Sequence, residues 1–228
     1  MEKLYETLLQ LPIFQGITLY DFNDLIGKLK WHFEKYQPGD TFIKAGEKCD
    51  KVICVLSGNT SFTTESSNKL YNITEFTDRP FIAEPYSLYG IDYSFQSTYT
   101  AVSEVTIGSF NKLAFLTIVN DFLICRLNII NMLCRRNQML YNKLWVDDIK
   151  NDFQSKIIRF ILLHVETPEG KKILRVKLYD FANLINASHV NTSIALNQME
   201  KDGLIRMGRM SISIPDAAVL RQKFENDK

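Results

Sequence analysis

Seven side chains could in principle bind a transition metal or serve as nucleophile and base. They are Cys49, Cys54, Cys125, Cys134, His32, His164 and His189. Structural metal sites need several such ligands at short spacings, and the sequence contains no Cys-x-x-Cys pair. Cys125 and Cys134 are nine residues apart, which places them on opposite sides of a helix. The pattern predicts free thiols and neither a zinc nor an iron–sulfur site.

The sequence also lacks the groups of residues that active sites need. His32 is the only histidine in the first 146 residues, whereas a metal-dependent β-barrel enzyme would need several there. A nucleophilic cysteine or serine needs a nearby histidine and a group that orients it, and no glycine-rich phosphate loop is present. We therefore expect no catalytic residues and no enzymatic activity.

The sequence pattern of residues 179–202, near the C-terminus, is suited to nucleic-acid recognition. Residues 179–185 and 189–202 have helical apolar spacing, and the intervening Asn186 suits the left-handed backbone of a tight turn. Ala182 is small where two helices cross, and Ser188 is a good N-cap. The inward-facing positions are Phe181, Ile185, Thr192, Ala195, Leu196 and Met199. This pattern predicts a helix-turn-helix.

A short hairpin is predicted directly after the second helix. Residues 206–214 form two strands around Gly208, which is typical of the wing in winged helix-turn-helix domains. Arg206 and Arg209 are available there for phosphate oxygens. A strand at 173–178 and a helix at about 148–166, with Asp147 and Asp148 at its start, complete the predicted C-terminal domain.

The rest of the chain divides into helical and strand-rich parts. The first 30 residues read as short helices, and residues 31–110 as many short strands separated by turn signals, which indicates an antiparallel sandwich or barrel. Residues 111–146 contain no glycine or proline and return to helical spacing. We predict three segments: a β-roll at 1–120, a dimerisation helix at 121–146 and a DNA-binding domain at 147–228.

The long helix carries a heptad seam, which predicts a homodimer. The seam residues are Leu123, Leu127, Ile130, Cys134, Asn137, Tyr141 and Leu144. Other apolar residues of this helix would cover the β-roll, and the polar Asn137 would help set the register. The alternative is an amphipathic helix packed only on its own domain.

Composition places few limits on the partners. The chain has 228 residues, 46% of them hydrophobic and 23% charged, with a formal net charge of +1, as in ordinary globular proteins. Residues 150–209 are modestly basic, with ten Lys/Arg and six Asp/Glu. No apolar run is long enough for a membrane helix, and no signal peptide is visible, so we expect a cytoplasmic protein without a membrane partner.

The order of these segments resembles the cyclic AMP receptor protein/FNR (Crp/Fnr) superfamily of bacterial transcription regulators over nearly the whole chain. The shared motifs are PGD at 38–40, GE at 46–47 and VLSG at 55–58, followed by ANLINAS at 182–188 and LNQMEKDGLI at 196–205. The resemblance implies an α+β fold with an N-terminal antiparallel β-roll (cyclic-nucleotide-binding-like, double-stranded β-helix), a long dimerisation helix and a C-terminal winged helix-turn-helix. It implies double-stranded DNA and a second copy of the chain as partners. RNA polymerase is a further candidate partner, although no segment marks a surface for it.

The effector pocket implied by the resemblance departs from the family pattern. Its residues here are Ala83, Glu84, Tyr86, Gln96, Ser97 and Thr98. Ala83 replaces the family's glycine, the expected arginine is missing, and no Lys or Arg occurs from 80 to 111. A buried phosphate without a cation is costly, so we expect no cyclic AMP and no other identifiable cofactor. Nearby aromatic residues either fill the pocket or line a site for a different, flatter ligand.

The recognition helix also departs, because His189, Val190 and Ile194 stand where the family often has charged readers. We predict that Val190 and Ile194 meet thymine methyl groups and that His189 and Ser193 bond base edges, which favours A·T-rich half-sites. Phosphate contacts are assigned to Lys177, Ser188, Asn191, Arg206 and Arg209, and Tyr179 and Asn197 complete the set. An effector would shift a hinge near 146–148. The alternative is a dimeric scaffold that keeps the fold without binding DNA.

Overall fold

The computed structural model describes residues 2–144 and 152–226, and the side chains of 5–142 and 152–224. The chain forms two compact units. The N-terminal unit comprises residues 1–60 and 78–142, and the C-terminal unit comprises residues 61–77 and 143–228.

The N-terminal unit consists of antiparallel strands between short N-terminal helices and two further helices. Single 3₁₀ turns lie at 12–14 and 85–88. The elements are α1 (Glu2–Leu9), α2 (Leu19–Lys28), β1 (His32–Tyr36), β2 (Thr41–Ile43), β3 (Lys51–Ser57), β6 (Phe81–Ile82), β7 (Ser97–Ala101), β8 (Val105–Asn111), α3 (Lys112–Asp121) and α4 (Leu123–Leu144).

Four of these strands form one sheet in the order β1-β8-β3-β6, and β2 pairs with β7. The central strand β3 is buried continuously from Val52 to Leu56, as expected of a strand covered on both faces. Gly58 ends it with a φ of 94°, and a Cβ there would clash with the carbonyl oxygen of Glu104. Only glycine fits this turn, which explains the VLSG motif.

The predicted long helical segment is interrupted. The chain turns by 112° between α3 and α4 at Phe122, and the Arg126 guanidinium donates to the carbonyl oxygens of Val119 (2.7 Å) and Asn120 (2.6 Å) at the end of α3. The dimerisation helix predicted for 121–146 therefore corresponds to α4. No single described helix is long and apolar enough to cross a membrane, and only the bent α3–α4 pair meets that test together.

The elements of the C-terminal unit are β4 (Thr60–Glu65), β5 (Tyr71–Thr77), α5 (Phe153–His164), β9 (Lys172–Val176), α6 (Leu178–Leu184), α7 (His189–Lys201), β10 (Arg206–Gly208), β11 (Ser211–Ile214) and α8 (Ala217–Asn226). Its strands lie in the order β10-β11-β9-β5-β4, and helices pack on them. Ile157, Leu174, Phe181, Leu196 and Leu220 are fully buried in its core.

Several boundaries differ from those expected. The helix predicted at 148–166 begins at Phe153, because Asp152 caps it by accepting from the Ser155 N–H (2.9 Å). Asp147, Asp148 and the hinge predicted at 146–148 lie outside the described residues. The strand predicted at 173–178 is β9, and the following helix begins one residue early, at Leu178, because Lys177 already has the extended backbone of an N-cap.

Residues 61–77 were expected in the N-terminal domain, whose predicted limits were 1–120, but they belong to the C-terminal unit. The reason is that β5 pairs with β9 over five residues, a long-range contact with no local sequence signal. The predicted α+β class is confirmed, with antiparallel strands before a long helix and a winged helix-turn-helix after it.

Candidate nucleic-acid interface

The turn between α6 and α7 has the geometry predicted for a helix-turn-helix. Asn186 adopts a φ of 50°, in the left-handed region. Its N–H donates to the Asn183 carbonyl (3.1 Å), and the Ala187 N–H reaches back to the Ala182 carbonyl (2.9 Å). These bonds close the end of α6 as a Schellman-type cap. Ala182 is buried, as expected of a small residue where two helices cross.

The start of α7 is fixed by Ser188. Its hydroxyl oxygen accepts from the Asn191 N–H (3.1 Å), which satisfies one of the free amide groups of the first turn. The Thr192 hydroxyl donates to the Ser188 carbonyl oxygen (2.9 Å). The predicted N-cap is confirmed, and it holds the first turn of α7 in one geometry.

Burial defines which face of α7 is open. All six predicted inward positions, namely Phe181, Ile185, Thr192, Ala195, Leu196 and Met199, are buried. The opposite face presents Val190 and Ile194, which are 63% and 62% exposed. These two residues are one helical turn apart, so they form a continuous apolar surface on the open face.

None of the eleven predicted DNA-contact residues is buried. Nine are exposed: Lys177, Tyr179, Ser188, His189, Val190, Ile194, Asn197, Arg206 and Arg209. Asn191 and Ser193 are half-buried. They fall into three groups, at the start of α6, along α7 and on the hairpin of β10 and β11.

That hairpin is the predicted wing. Arg206 pairs with Ser213 and Gly208 with Ser211, so its tip is formed by Arg209 and Met210 rather than by Gly208. The Met210 carbonyl accepts from the Val176 N–H (3.1 Å), and the Glu200 carboxylate of α7 accepts from the Met207 N–H (2.6 Å). The wing is thereby fixed both to β9 and to α7.

The tip of the wing carries backbone strain that a substitution should relieve. Met210 has a φ of 53°, which costs a residue with a Cβ about 1–2 kcal/mol. We expect Met210→Gly to raise the free energy of unfolding by about 0.5–1 kcal/mol, after allowing for the greater entropy of glycine in the unfolded chain. Urea unfolding would measure it. Met207→Gly, in the strand β10, is the matched control and should lower stability; a less stable Met210→Gly variant would contradict the expectation.

One exposed cation near the wing was not predicted. Arg175 lies on β9, opposite Ser211 of the wing strand β11, and its side chain is exposed. The sequence does carry a signal for this position, because side chains of a strand point alternately to its two faces. Lys172, Leu174 and Val176 of β9 are buried, so Arg175 lies on the opposite face.

In the N-terminal unit, the predicted effector pocket is organised by one buried carboxylate. Glu84 accepts from the N–H groups of Gln96 (2.7 Å) and Ser97 (2.8 Å). The Ser87 hydroxyl (3.1 Å) and the Tyr99 hydroxyl (3.4 Å) also donate to it. The carboxylate therefore uses the backbone donors of residues 96 and 97, which the resemblance assigns to the predicted effector pocket.

The other residues predicted for the pocket have different environments. Ala83 and Ser97 are buried, whereas Gln96 is exposed. The Thr98 hydroxyl accepts from the Ala45 N–H (3.1 Å), and the Arg136 guanidinium lies 3.6 Å from the centre of the Tyr86 ring.

The space beside these residues is small. An apolar cavity of about 40 Å³ is lined by Ile82, Pro85, Tyr89, Phe115, Ile129, Met132 and Leu133. Pockets for organic ligands usually measure about 300–1,000 Å³, so this cavity does not accommodate a nucleotide.

The described part of the predicted dimer seam is open to solvent. Leu123, Leu127, Ile130, Cys134, Asn137 and Tyr141 are all exposed on α4, while the side chain of Leu144 lies outside the described residues. An exposed apolar stripe of this length is what a helix that packs on a second copy presents.

The four cysteines are free thiols, as predicted, and they differ in exposure. Burial raises the pKa of Cys49 to about 11, with the neighbouring Glu84 carboxylate adding to the shift. Burial likewise raises the pKa of Cys125 to about 12 and strongly raises the pKa of Cys54. Cys134 is the one exposed cysteine, so it is the accessible thiol of the chain.

Comparison with known families supports this interpretation. Residues 155–223 match the family model of the Crp-like helix-turn-helix domain, which covers α5 to α8 except for the ends. No curated protein sequence gives a significant match.

Several solved structures align with this chain at low sequence identity. The sensor domain of the transcriptional regulator DNR from Pseudomonas aeruginosa aligns with a TM-score of 0.51 at 15% identity, covering 65% of this chain and 97% of that one. The Thermus thermophilus catabolite activator protein aligns at 0.49 and 14% identity, covering 94% of this chain and 99% of that one. For FixK2 from Bradyrhizobium japonicum the values are 0.45 and 12%, with 87% and 97% covered. The family-model match confirms the predicted resemblance for the helix-turn-helix region at 155–223, and the alignment with the DNR sensor domain shows the fold.

Proposed function

We propose that this chain is a transcription regulator of the Crp/Fnr type that binds DNA as a homodimer, with the Crp-like helix-turn-helix domain of each copy at one half of a pseudo-palindromic site. The observation that carries the proposal is the open face of α7, held by a capped turn and a buried opposite face beside an arginine-bearing wing. Half-sites read by two such helices lie about one helical turn apart, roughly 34 Å.

Each group of exposed residues has a distinct role in this proposal. Val190 and Ile194 contact thymine methyl groups, and His189 and Ser193 bond to base edges, so that the preferred half-site is rich in A·T pairs. Phosphate contacts orient the domain without reading sequence. They come from Lys177, Ser188, Asn191, Arg206 and Arg209, to which the exposed position of Arg175 beside the wing adds one more.

The salt dependence of DNA affinity tests this assignment. Each phosphate contact releases counterions and contributes about 0.9 to the slope of log affinity against log salt concentration. The Arg206→Ala, Arg209→Ala double variant should therefore bind more weakly and lose about 1.8 from that slope. Fluorescence anisotropy across a salt series would measure it.

The control for this experiment is Lys44→Ala, Lys48→Ala, which removes two exposed cations from the N-terminal unit. It should leave the slope unchanged. Equal slopes for the wild type and the wing variant would contradict the assignment of these arginines to phosphates.

Dimerisation through α4 is supported by the exposed seam residues. Paired helices would bury this stripe and bring two helix-turn-helix domains into one molecule. Two linked domains bind two half-sites far more tightly than one domain binds one. We place this regulator in the bacterial cytoplasm, together with the chromosomal DNA that it would bind. The sequence marks no surface for a contact with RNA polymerase.

Cyclic AMP is not expected to be the effector. The Glu84 carboxylate already uses the N–H groups of Gln96 and Ser97, and no cationic side chain occurs at 80–111. Isothermal titration with cyclic AMP should give no binding up to millimolar concentration, with a cyclic-AMP-binding regulator measured in parallel as the positive control. Micromolar binding would overturn this expectation.

A second candidate function is a dimeric protein-interaction module. It is favoured by the exposed apolar residues around the wing and α7, because DNA-contacting surfaces are usually more polar and basic. These residues are Tyr179, Val190, Ile194, Met207 and Met210. The salt series separates the two functions: a steep negative slope supports DNA binding, and an absence of DNA binding at low salt supports the module.

A further inference from the structure

The tip of the wing combines two unfavourable features in one residue, Met210. Its backbone has a φ of 53°, in the left-handed region that residues with a Cβ rarely adopt. Its thioether side chain is 59% exposed, so apolar surface is left in water. Residues held in such backbone conformations are concentrated at functional sites. Met210 is therefore a candidate for a contact with another molecule.

Met210 differs from the other residues with this backbone conformation. Three further non-glycine residues of the described chain have a positive φ, and all three have polar side chains: Lys69, Glu84 and Asn186. The Glu84 carboxylate accepts four hydrogen bonds, and Asn is a residue type that tolerates the left-handed region. Met210 shares neither property, because its side chain is apolar and exposed.

The strand register of the wing imposes this conformation on Met210. Ile212 and Ile214 of β11 are buried, and Ile212 lies opposite Met207 of β10. A slip by one residue would turn both isoleucines to the other face of the strand. The Val176 N–H also donates to the Met210 carbonyl oxygen (3.1 Å). The core of the C-terminal unit therefore holds the tip in its strained form.

The charge around the tip suits a polyanion. Residues 203–215 contain two arginines, Arg206 and Arg209, and neither Asp nor Glu. Both arginines are exposed, and the Glu200 carboxylate of α7 accepts from the Met207 N–H (2.6 Å). An apolar protein surface placed on Met210 would also cover guanidinium groups without pairing them, which is costly. DNA offers phosphates for the arginines and apolar base faces for the methionine.

We propose that Met210 is a wedge that enters the minor groove beside each half-site. With α7 in the major groove and Arg209 on a phosphate, the next residue of the tip lies at the adjoining minor groove. Methionine is one of the apolar side chains that proteins insert between base pairs from this groove, which partly unstacks the step. Its unbranched, flexible side chain suits a narrow gap. The inference rests on the proposed function, because it adds a contact to the same DNA-bound wing.

The wedge predicts a sequence preference at base pairs that α7 does not touch. Pyrimidine–purine steps such as TA are easily unstacked, whereas A-tracts are stiff. Both kinds of step consist of A·T pairs, so exchanging one for the other keeps the base composition. The wild-type protein should bind a site with TA at the wedge step at least about threefold more tightly than the same site with AA there.

The test uses the DNA site that the full-length wild-type protein selects from random sequences, with 2-aminopurine placed singly at successive flanking positions. This fluorescent base brightens when it is unstacked, so binding should raise the fluorescence at one step of each flank. Met210→Ala removes the wedge and keeps the strained backbone, whereas Met210→Gly removes both. Both variants should lose the fluorescence rise, the TA preference and about tenfold in DNA affinity, comparable to the effect of one mismatched base pair.

Two controls separate a DNA contact from a structural role. Met210→Leu keeps an apolar side chain of similar size and should keep the fluorescence rise, the TA preference and the affinity. Met139→Ala removes a methionine of the N-terminal unit that is 39% exposed and should change none of them. Because Met210→Gly is expected to be more stable than the wild type, weaker DNA binding by this variant would not come from a loss of folding.

Two results would overturn the inference. One is binding of the selected site by the wild-type protein with no fluorescence rise at any flanking step. The other is a Met210→Ala variant with the affinity and flank preference of the wild type, which would leave the exposed methionine to a protein partner. A failure of the proposed function looks different: the wild-type protein would then retain no DNA at low salt, which would remove the wedge as well.

Discussion

Leu127→Asp is expected to convert the dimer into a monomer and to lower DNA affinity by about 10²–10⁴-fold. The affinity falls because a monomer carries one helix-turn-helix domain and loses the gain from two linked domains. Leu127 lies in the middle of the α4 seam and is 47% exposed in the single chain. A carboxylate at that position would be buried against the second copy without a partner. Sedimentation velocity and a gel-shift titration on the same samples would measure both effects.

The matched control is Leu113→Asp. Leu113 lies on α3, outside the seam, and is 74% exposed, so the same substitution should leave both the dimer and DNA affinity intact. Tight DNA binding by a monomeric Leu127→Asp variant would falsify the dimer proposal.

Cys134 gives an independent measurement of the same interface. In a parallel two-fold seam, the same residue from each copy meets at the axis. Mild oxidation should therefore link two chains through Cys134, whereas the other three thiols are buried. Cys134→Ser should abolish the covalent dimer without changing the non-covalent one, and a covalent dimer that persists in this variant would count against the predicted seam.

Ile194→Glu is expected to lower DNA affinity by about 100-fold while leaving the fold intact. The side chain is 62% exposed, and exposed substitutions usually change stability by less than about 0.5 kcal/mol. On DNA, however, the new carboxylate would face phosphates, and bringing like charges together at an interface costs several kcal/mol. Anisotropy titration and thermal unfolding of the same variant separate these two effects.

Val219→Glu is the control for this substitution. Val219 is also a β-branched residue of the C-terminal unit, lies on α8 and is 47% exposed, so it should tolerate the charge with no loss of DNA affinity. If Ile194→Glu bound DNA like the wild type, the open face of α7 would not be the reading face.

The helix-turn-helix could be predicted from the sequence because its signals are local. Asn186 has the left-handed backbone that its residue type favours, and Ser188 caps α7 through a bond spanning three residues. The inward positions repeat at helical spacing, so burial followed from periodicity alone. The structure shows that none of the eleven predicted contact residues is buried, and their roles in DNA binding stay predictions.

The pairing of β5 with β9 could not be predicted, because it joins residues about one hundred positions apart. Glu75 and Lys172 are ordinary charged residues in the sequence, and only the β5–β9 register makes them a buried pair. The surroundings of Glu84 could be predicted only in part. The sequence shows that the pocket segment lacks a cation. It does not show the four donors to the Glu84 carboxylate, because folding of residues 87–99 around the carboxylate brings them there.

Selection of bound fragments from random DNA by the full-length protein, without added ligand, tests whether the α7 face and the wing read DNA as a two-fold pair. We expect an enriched palindrome with A·T-rich half-sites about one helical turn apart, bound more weakly as salt rises. An enriched single, unrepeated G·C-rich motif would contradict the predicted readout. No enriched motif and no retention of DNA at low salt would contradict DNA binding itself.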